Sequence, residues 1–226
     1  MSSILEVSNI SKSYDNGKTL ALKDISINFK EGRFYTIMGK SGCGKSTLLN
    51  ILGTIDKPTS GEVLYGGKSL EDISRLSDFR RKFIGFIFQF HHLIPVLTLK
   101  ENVEVALFSN LNYSKKFINE KSIKLLTELG LKNKINSLAN EVSGGEKQRC
   151  AIARALANNP KIILADEPTG NVDTTNTKVI LDQLKKYQEQ QNCTIIMATH
   201  DLSIAQSSDV IIRLQDGKII SSKENV

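Results

Sequence analysis

Apolar and polar positions alternate through the first thirty residues of this chain. Ile4, Val7 and Ile10 lead to Tyr14, and Leu20, Leu22, Ile25, Ile27 and Phe29 mark a second extended run. Asp15-Asn16-Gly17 stands between them as a turn signal, so the pattern predicts an antiparallel N-terminal β layer. Arg33–Met38 is a compact apolar run, the mark of a buried strand, and it leads straight into Gly39. A helix is predicted over 45–52, a strand over 61–65, a polar helix over 71–82 and a strand over 83–88. From about 98 to 130 the spacing is helical, with Ile118, Leu125, Leu126 and Leu129 on one face and Gly130 as the C-terminal stop.

Another helix is predicted over 144–158, closed by Asn158-Asn159-Pro160. Beyond it, strands at 162–165 and 194–198 alternate with helices at 174–190 and 201–206. Val210–Leu214 and Lys218–Ile220 form a terminal hairpin around Asp216-Gly217. Strands alternating with helices imply an α/β fold with a mainly parallel core sheet covered on both faces. The helix-rich stretch at about 90–157 reads as a helical subdomain inserted into one domain spanning 1–226.

Composition narrows the picture a little. The chain has 226 residues, 40% of them hydrophobic, enough for one sizeable core. A net charge of +6 and a pI near 9.1 suit a lysine-rich surface, nucleic acid, an anionic membrane or a polyanionic ligand, without choosing among them. Cys43, Cys150 and Cys193 are odd in number and lack metal-site spacing, as expected of reduced thiols. The N-terminus lacks a signal-peptide pattern, and no run approaches the ~20 apolar residues that span a bilayer. Any membrane role is therefore expected to come through a partner.

Three segments carry chemistry. The first is Gly39-Lys40-Ser41-Gly42-Cys43-Gly44-Lys45-Ser46-Thr47, a G-x-x-x-x-G-K-[ST] loop between a predicted strand and a predicted helix. Glycines let backbone N–H groups wrap closely around phosphates, and the helix N-terminus adds positive potential. Lys45 is suited to neutralise β- and γ-phosphates and Ser46 to ligate Mg²⁺. This loop makes the fold a P-loop NTPase. The second segment is the apolar strand 162–165 ending in Asp166-Glu167. Ligands of such sheets lie at the carboxyl ends of strands, where Asp166 can hold Mg²⁺ through water and Glu167 can deprotonate an attacking water. An isolated Asp-Glu pair would more often merely cap a strand. The third is Val142-Ser143-Gly144-Gly145-Glu146, in which Ser143 precedes a helix start. Ser143 is an N-cap by residue type, and the same N-terminus can read a phosphate.

Taken together, these segments resemble the ATP-binding cassette (ABC) ATPases, and the resemblance runs from Tyr14 to His200 and beyond. Val142 and Glu146 depart from the commonest signature form of that family, Leu-Ser-Gly-Gly-Gln. The resemblance implies that Ser143, Gly144, Gly145 and Glu146 face the phosphate loop of a second subunit, with two ATP molecules sandwiched between the two. It implies that Gln89 touches Mg²⁺ and the attacking water, and that His200 is the switch histidine beside the γ-phosphate. Tyr14 matches the adenine-stacking aromatic, and Asp173, in Asn171-Val172-Asp173, matches the residue coupling the two sites. The expected cofactors are ATP and Mg²⁺. The expected partners are a second copy or a homologous ATPase subunit and an integral membrane permease, with no nucleic acid. His91, His92, Leu93 and Ile94 follow Gln89 and are candidates to line the permease groove. No metal is expected at His91-His92, since adjacent side chains need not converge.

Phe90–Pro95, Glu101-Asn102-Val103 and Ala165–Asn171 look most like the branch of lipoprotein-release, macrolide-export and antimicrobial-peptide-resistance ATPases. That branch also holds a cell-division ATPase, so a mechanotransmission complex acting on cell-division or cell-wall enzymes is the alternative. Soluble ABC ATPases of DNA repair or translation usually carry two cassettes or a long coiled coil, neither of which is seen here. The implied location is the cytoplasmic face of the cell membrane, held there by the permease.

Overall fold

The computed structural model describes residues 2–108, 110, 112–170, 172 and 174–225, leaving aside the side chains of Thr174 and Thr175. The chain begins with β1 (Ser3–Tyr14) and β2 (Thr19–Lys30), joined through a tight turn at Asp15–Gly17. There follow β3 (Phe34–Met38), α1 (Lys45–Leu52), β4 (Ser60–Tyr65), β5 (Lys68–Ser69), α2 (Leu76–Phe83) and β6 (Ile84–Ile87). The helices α3 (Leu99–Phe108), α4 (Lys115–Glu128) and α5 (Gly144–Leu156) come next. The chain closes with β7 (Ile162–Asp166), α6 (Thr174–Gln191), β8 (Thr194–Thr199), α7 (Leu202–Ala205), β9 (Val210–Gln215) and β10 (Lys218–Glu224).

Two sheets result. One is antiparallel in the order β2-β1-β4-β5; the other runs β10-β9-β3-β8-β7-β6, parallel except for β10. Alternation along the parallel strands splits the core. Ile163, Ala165, Ile195 and Met197 face the apolar layer shared with α3, α4 and α5. Ile162, Leu164, Ile196 and Ala198 face the layer shared with α1 and the antiparallel sheet. The phosphate-loop helix and the helix that begins at Gly144 therefore sit on opposite faces of one sheet.

The first two strands are less regular than strict alternation. Leu5, Val7 and Ile10 are buried, a spacing of two and then three, because Asn9 takes a left-handed backbone (φ 52°) at a register shift between Val7 and Ile10. Asp24 (φ 51°) mirrors it in β2, and the Asn9 amide donates to the Asp24 carboxylate at 2.8 Å. Ile4 and Ile27 are only partly buried, and Leu20 lies exposed.

Two predicted boundaries move. The polar stretch 71–82 is not one helix but a short 3-10 turn at Leu70–Asp72 and then α2, which runs through Phe83. The Phe83 ring stacks on Phe79 one helical turn earlier (4.8 Å between centroids), so Phe83 continues the apolar face of the helix instead of opening a strand. The stretch 98–130 is two helices. Ser114 caps the second, its hydroxyl accepting from the Phe117 amide at 3.2 Å.

Gly130 stops α4 as expected, in the left-handed region (φ 72°). Its N–H donates to Thr127 O and that of Leu131 to Leu126 O, the paired bonds that close a helix C-terminus. A Cβ there would meet nothing within 4 Å, so Gly130→Ala adds backbone strain without a clash. It should cost about 1 kcal/mol, seen as a lower urea midpoint at unchanged slope.

Candidate functional site

Strand register gathers the candidate residues before any side chain is placed. Met38 pairs with Thr199, Ala198 with Asp166, and Ala165 with Ile87. The ends of β3, β8, β7 and β6 therefore stand side by side, and each runs on into a candidate: the phosphate loop, His200, Glu167 and Gln89.

Close approach explains the glycines of the loop. A Cβ on Gly39 would lie 2.3 Å from Leu214 O and 2.4 Å from Cys43 Sγ; on Gly44 (φ 107°) it would lie 2.6 Å from Ala21 O. Any larger residue would push the loop off the sheet edge. Lys40 and Ser41 are exposed along the loop, and Gly42 (φ 77°) makes the turn. Cys43 is a buried thiol packed under the loop, its side chain turned toward the core. The Lys45 ammonium is buried and donates to Gly39 O (2.8 Å) and Lys40 O (3.1 Å). A cation is thus held at the centre of a ring of backbone.

Two polar side chains converge on Glu167. Its Oε1 stands 2.9 Å from His200 Nδ1 and 4.0 Å from Lys45 Nζ. The Glu167 side chain is only 13% exposed, while His200 is 72% exposed. The carboxylate is therefore shielded on the protein side and the imidazole faces the open side. Glu167 also holds a left-handed backbone (φ 44°), with its N–H bonded to Ala198 O and its C=O accepting from Gly170 N–H. Strain of this kind persists only where surrounding bonds fix it, and it aims the side chain. The Gln89 amide nitrogen lies 3.3 Å from where a Cβ on Gly170 would stand, so the end of β6 abuts this same turn.

Asp166, by contrast, is starved of solvation. Burial pushes its carboxyl above the usual carboxylate range, and the negative Glu167 adds to this; the Ser46 side-chain hydrogen bond and Lys45 oppose it. A buried carboxyl short of positive charge beside a hydroxyl is an oxygen donor set suited to a hard divalent cation. Together with the glycine cradle and the buried Lys45, the residues fit Mg²⁺ and a triphosphate.

Ser143 caps α5 reciprocally with Glu146. The Ser143 hydroxyl accepts from the Glu146 N–H (3.3 Å), and Glu146 Oε2 accepts from the Ser143 N–H (2.8 Å) and from its hydroxyl (2.9 Å). The backbone bond from Ser143 leads in holding the Glu146 carboxyl below its usual range. Glu146 thus does more than mark a departure from a common motif. Its place three residues after Ser143 is a capping-box signal, legible in the sequence. Behind this end, Arg149 donates to the Asn176 amide oxygen, and Gly145 fits against Asn176 with a Cβ-to-atom distance of 3.3 Å. Val142 is buried beneath it.

Past Gln89 lie two consecutive left-handed residues, His91 (φ 59°) and His92 (φ 48°). Both of their carbonyls accept from the Arg154 guanidinium of α5. Sequence reasoning missed Arg154. Its carrier is a helix face one turn beyond Cys150, which no local motif marks. Burial lowers the Arg154 pKa, so those two bonds are what keep its charge satisfied. Of the four groove candidates, His92 lines an open hollow of about 490 Å³ with Ile55, Arg81, Phe86, Phe88 and Ala106, while Leu93 packs on the core. Tyr14 lies at the end of β1, 38% exposed, with its hydroxyl donating to Asp56 at 2.8 Å. Asn171 and Asp173 fall outside the described residues.

The ABC transporter family model matches residues 22–170. The uncharacterized ABC transporter ATP-binding protein MJ1508 of Methanocaldococcus jannaschii is 47% identical over 221 residues, 96% of this chain and 98% of that protein. The lipoprotein-releasing system ATP-binding protein LolD of Aquifex aeolicus is 45% identical over 222 residues, covering 97% of each. Among solved structures, the dimeric ABC transporter cassette MJ0796 matches with a TM-score of 0.92 at 41% identity, over 98% of this chain and 99% of that one. The same cassette in a dimeric post-hydrolysis state bound to ADP and Pi matches with a TM-score of 0.91. The convergence of Lys45 and His200 on Glu167 is thus found in a chain that belongs to the ABC transporter family, as an ATP-binding subunit that hydrolyses ATP with Mg²⁺.

Proposed function

We propose that this chain works as one half of a head-to-tail dimer that drives a separate membrane permease of the export or lipoprotein-release type. The observation that carries the hydrolytic part of this reading is the meeting of Lys45 and His200 at one oxygen of Glu167, at the carboxyl edge of the sheet; the dimer rests on the dimeric MJ0796 cassette that this chain resembles. Lys45 and the loop N–H groups of 39–47 hold the phosphates. Ser46 and Asp166 would hold Mg²⁺ with Gln89 beside them, and the ion would supply positive charge against the phosphate oxygens. Glu167 takes the proton of the attacking water, and His200 orients that carboxylate from the open side. Ser143, Gly144, Gly145 and Glu146 serve the second subunit's ATP, with Asp173 coupling the two sites. Tyr14 stacks on adenine.

The helices α3–α5 form the inserted subdomain of one domain. The permease docks at the His92 hollow, whose segment also carries the exposed Phe90 and Val96. Among the described residues no helix is long and apolar enough to cross a membrane, so the permease would hold this subunit at the cytoplasmic face. Relatives named for lipoprotein release favour that branch over mechanotransmission.

The test of the site is Lys45→Ala. Removing a buried cation that meets phosphate should weaken Mg·ATP binding about 10- to 100-fold, measured by calorimetry. Undiminished affinity would take Lys45 out of the phosphate site.

A further inference from the structure

Tyr14 is held in place at the end of β1. Lys12 and Tyr14 are two residues apart in β1 and so project from the same side of the strand. The Lys12 ammonium stands 4.9 Å from the Tyr14 ring centroid, over its face. The same ammonium pairs with Asp56 Oδ1 (2.7 Å) and donates to Lys57 O (2.8 Å), while the Tyr14 hydroxyl donates to Asp56 Oδ2 (2.8 Å). The Lys57 N–H adds a third bond to Asp56 (2.7 Å). Burial alone would raise the Asp56 carboxyl; these partners more than reverse that and hold it below the usual range.

Asp56 is itself anchored. Its N–H and that of Ile55 both donate to Asn50 O, in the last turns of α1. That helix begins with Lys45, Ser46 and Thr47 of the phosphate loop. Ring and loop are therefore tied to one eight-residue helix.

We propose that Lys12 and Asp56 are positioning residues for the nucleobase. Resting on the reading of Tyr14 as the base platform, the proposal is that they fix the ring at a set distance from the phosphate loop. One ring face is covered by the Lys12 ammonium and the other is presented to a purine. A cation on one face draws π density from the ring, which favours stacking an electron-rich purine on the other. Losing either residue should therefore weaken the base contact and leave the phosphate contacts intact.

The test compares Mg·ATP with inorganic tripolyphosphate plus Mg²⁺ by calorimetry, on the wild type and on Lys12→Met, Asp56→Asn, Tyr14→Phe and Tyr14→Ala. Lys12→Met and Asp56→Asn should each weaken ATP about three- to tenfold with tripolyphosphate unchanged, and Tyr14→Phe should weaken ATP less. The preference for ATP over CTP should shrink in parallel. If Tyr14→Ala weakens ATP while Lys12→Met and Asp56→Asn bind it as the wild type does, the positioning role is wrong and the platform stands. If Tyr14→Ala itself binds ATP normally, the platform reading fails and the proposal falls with it. Equal losses for ATP and tripolyphosphate would mean that the pair only supports the loop, which also overturns the proposal. Should one variant unfold on heating near the assay temperature, the other of Lys12→Met and Asp56→Asn decides the question, since Tyr14→Phe keeps the ring but loses hydroxyl bonds to both Asp56 and Thr47.

Discussion

Glu167→Gln should keep Mg·ATP bound and lower steady-state phosphate release by about 10²- to 10⁴-fold, the range lost with a general base. Gln preserves the volume of the side chain and a hydrogen-bonding partner for His200 Nδ1, which lies 2.9 Å from Glu167 Oε1. It cannot accept a proton from water. It also removes the negative charge 4.0 Å from Lys45 Nζ, so binding of the anionic nucleotide should be equal or tighter. Phosphate release at saturating ATP, read beside a binding isotherm, separates the two effects. Turnover within a few-fold of the wild type would assign the proton to another group.

Ser143→Arg should abolish ATP-driven dimerisation while the variant's own phosphate loop still binds ATP. The substitution removes the hydroxyl and the reciprocal cap with Glu146, which by itself costs α5 about 1 kcal/mol. It also sets a long, bulky side chain at the N-terminus of a 13-residue helix, where it would fill the space a second subunit's phosphates must enter and where a cation opposes the helix dipole. Light scattering of the Glu167→Gln protein with ATP should show a dimer, and the same protein carrying Ser143→Arg should stay monomeric at the same concentration. Ser143→Ala, which loses the cap without adding bulk or charge, should weaken the dimer less. A dimer of undiminished stability in Ser143→Arg would place the contact surface elsewhere on the molecule.

Much of this was legible before any coordinates, for reasons that differ by residue. The phosphate loop is local: residues 39–47 carry their own glycines and their own lysine, and strand and helix flank them as the spacing requires. Glu167, His200 and Gln89 are far apart in sequence, yet each ends an apolar run, and in a parallel sheet such ends share one edge. What stayed hidden depends on partners that no period encodes. The Asn9–Asp24 pair turns clean alternation into a bulge in each strand. Phe83 reads as a strand residue until its stacking on Phe79 assigns it to a helix. Asp56 lies 42 residues from the tyrosine it holds, and nothing in its own neighbourhood marks it.

The Arg154 guanidinium has a mechanical consequence. It grips two successive carbonyls in the segment that follows Gln89, and both belong to residues in a backbone conformation that resists relaxing in place. Gln89 cannot withdraw from Gly170 by bending that segment alone without giving up two charge-assisted bonds, on the order of 1.5–3 kcal/mol each. The cheaper course is for α5 to travel with it, carrying Ser143 at its far end. On the proposed reading, a change of state inside the pocket would become displacement at a surface on the other face of the sheet, with the part-buried Arg154 guanidinium as the strut.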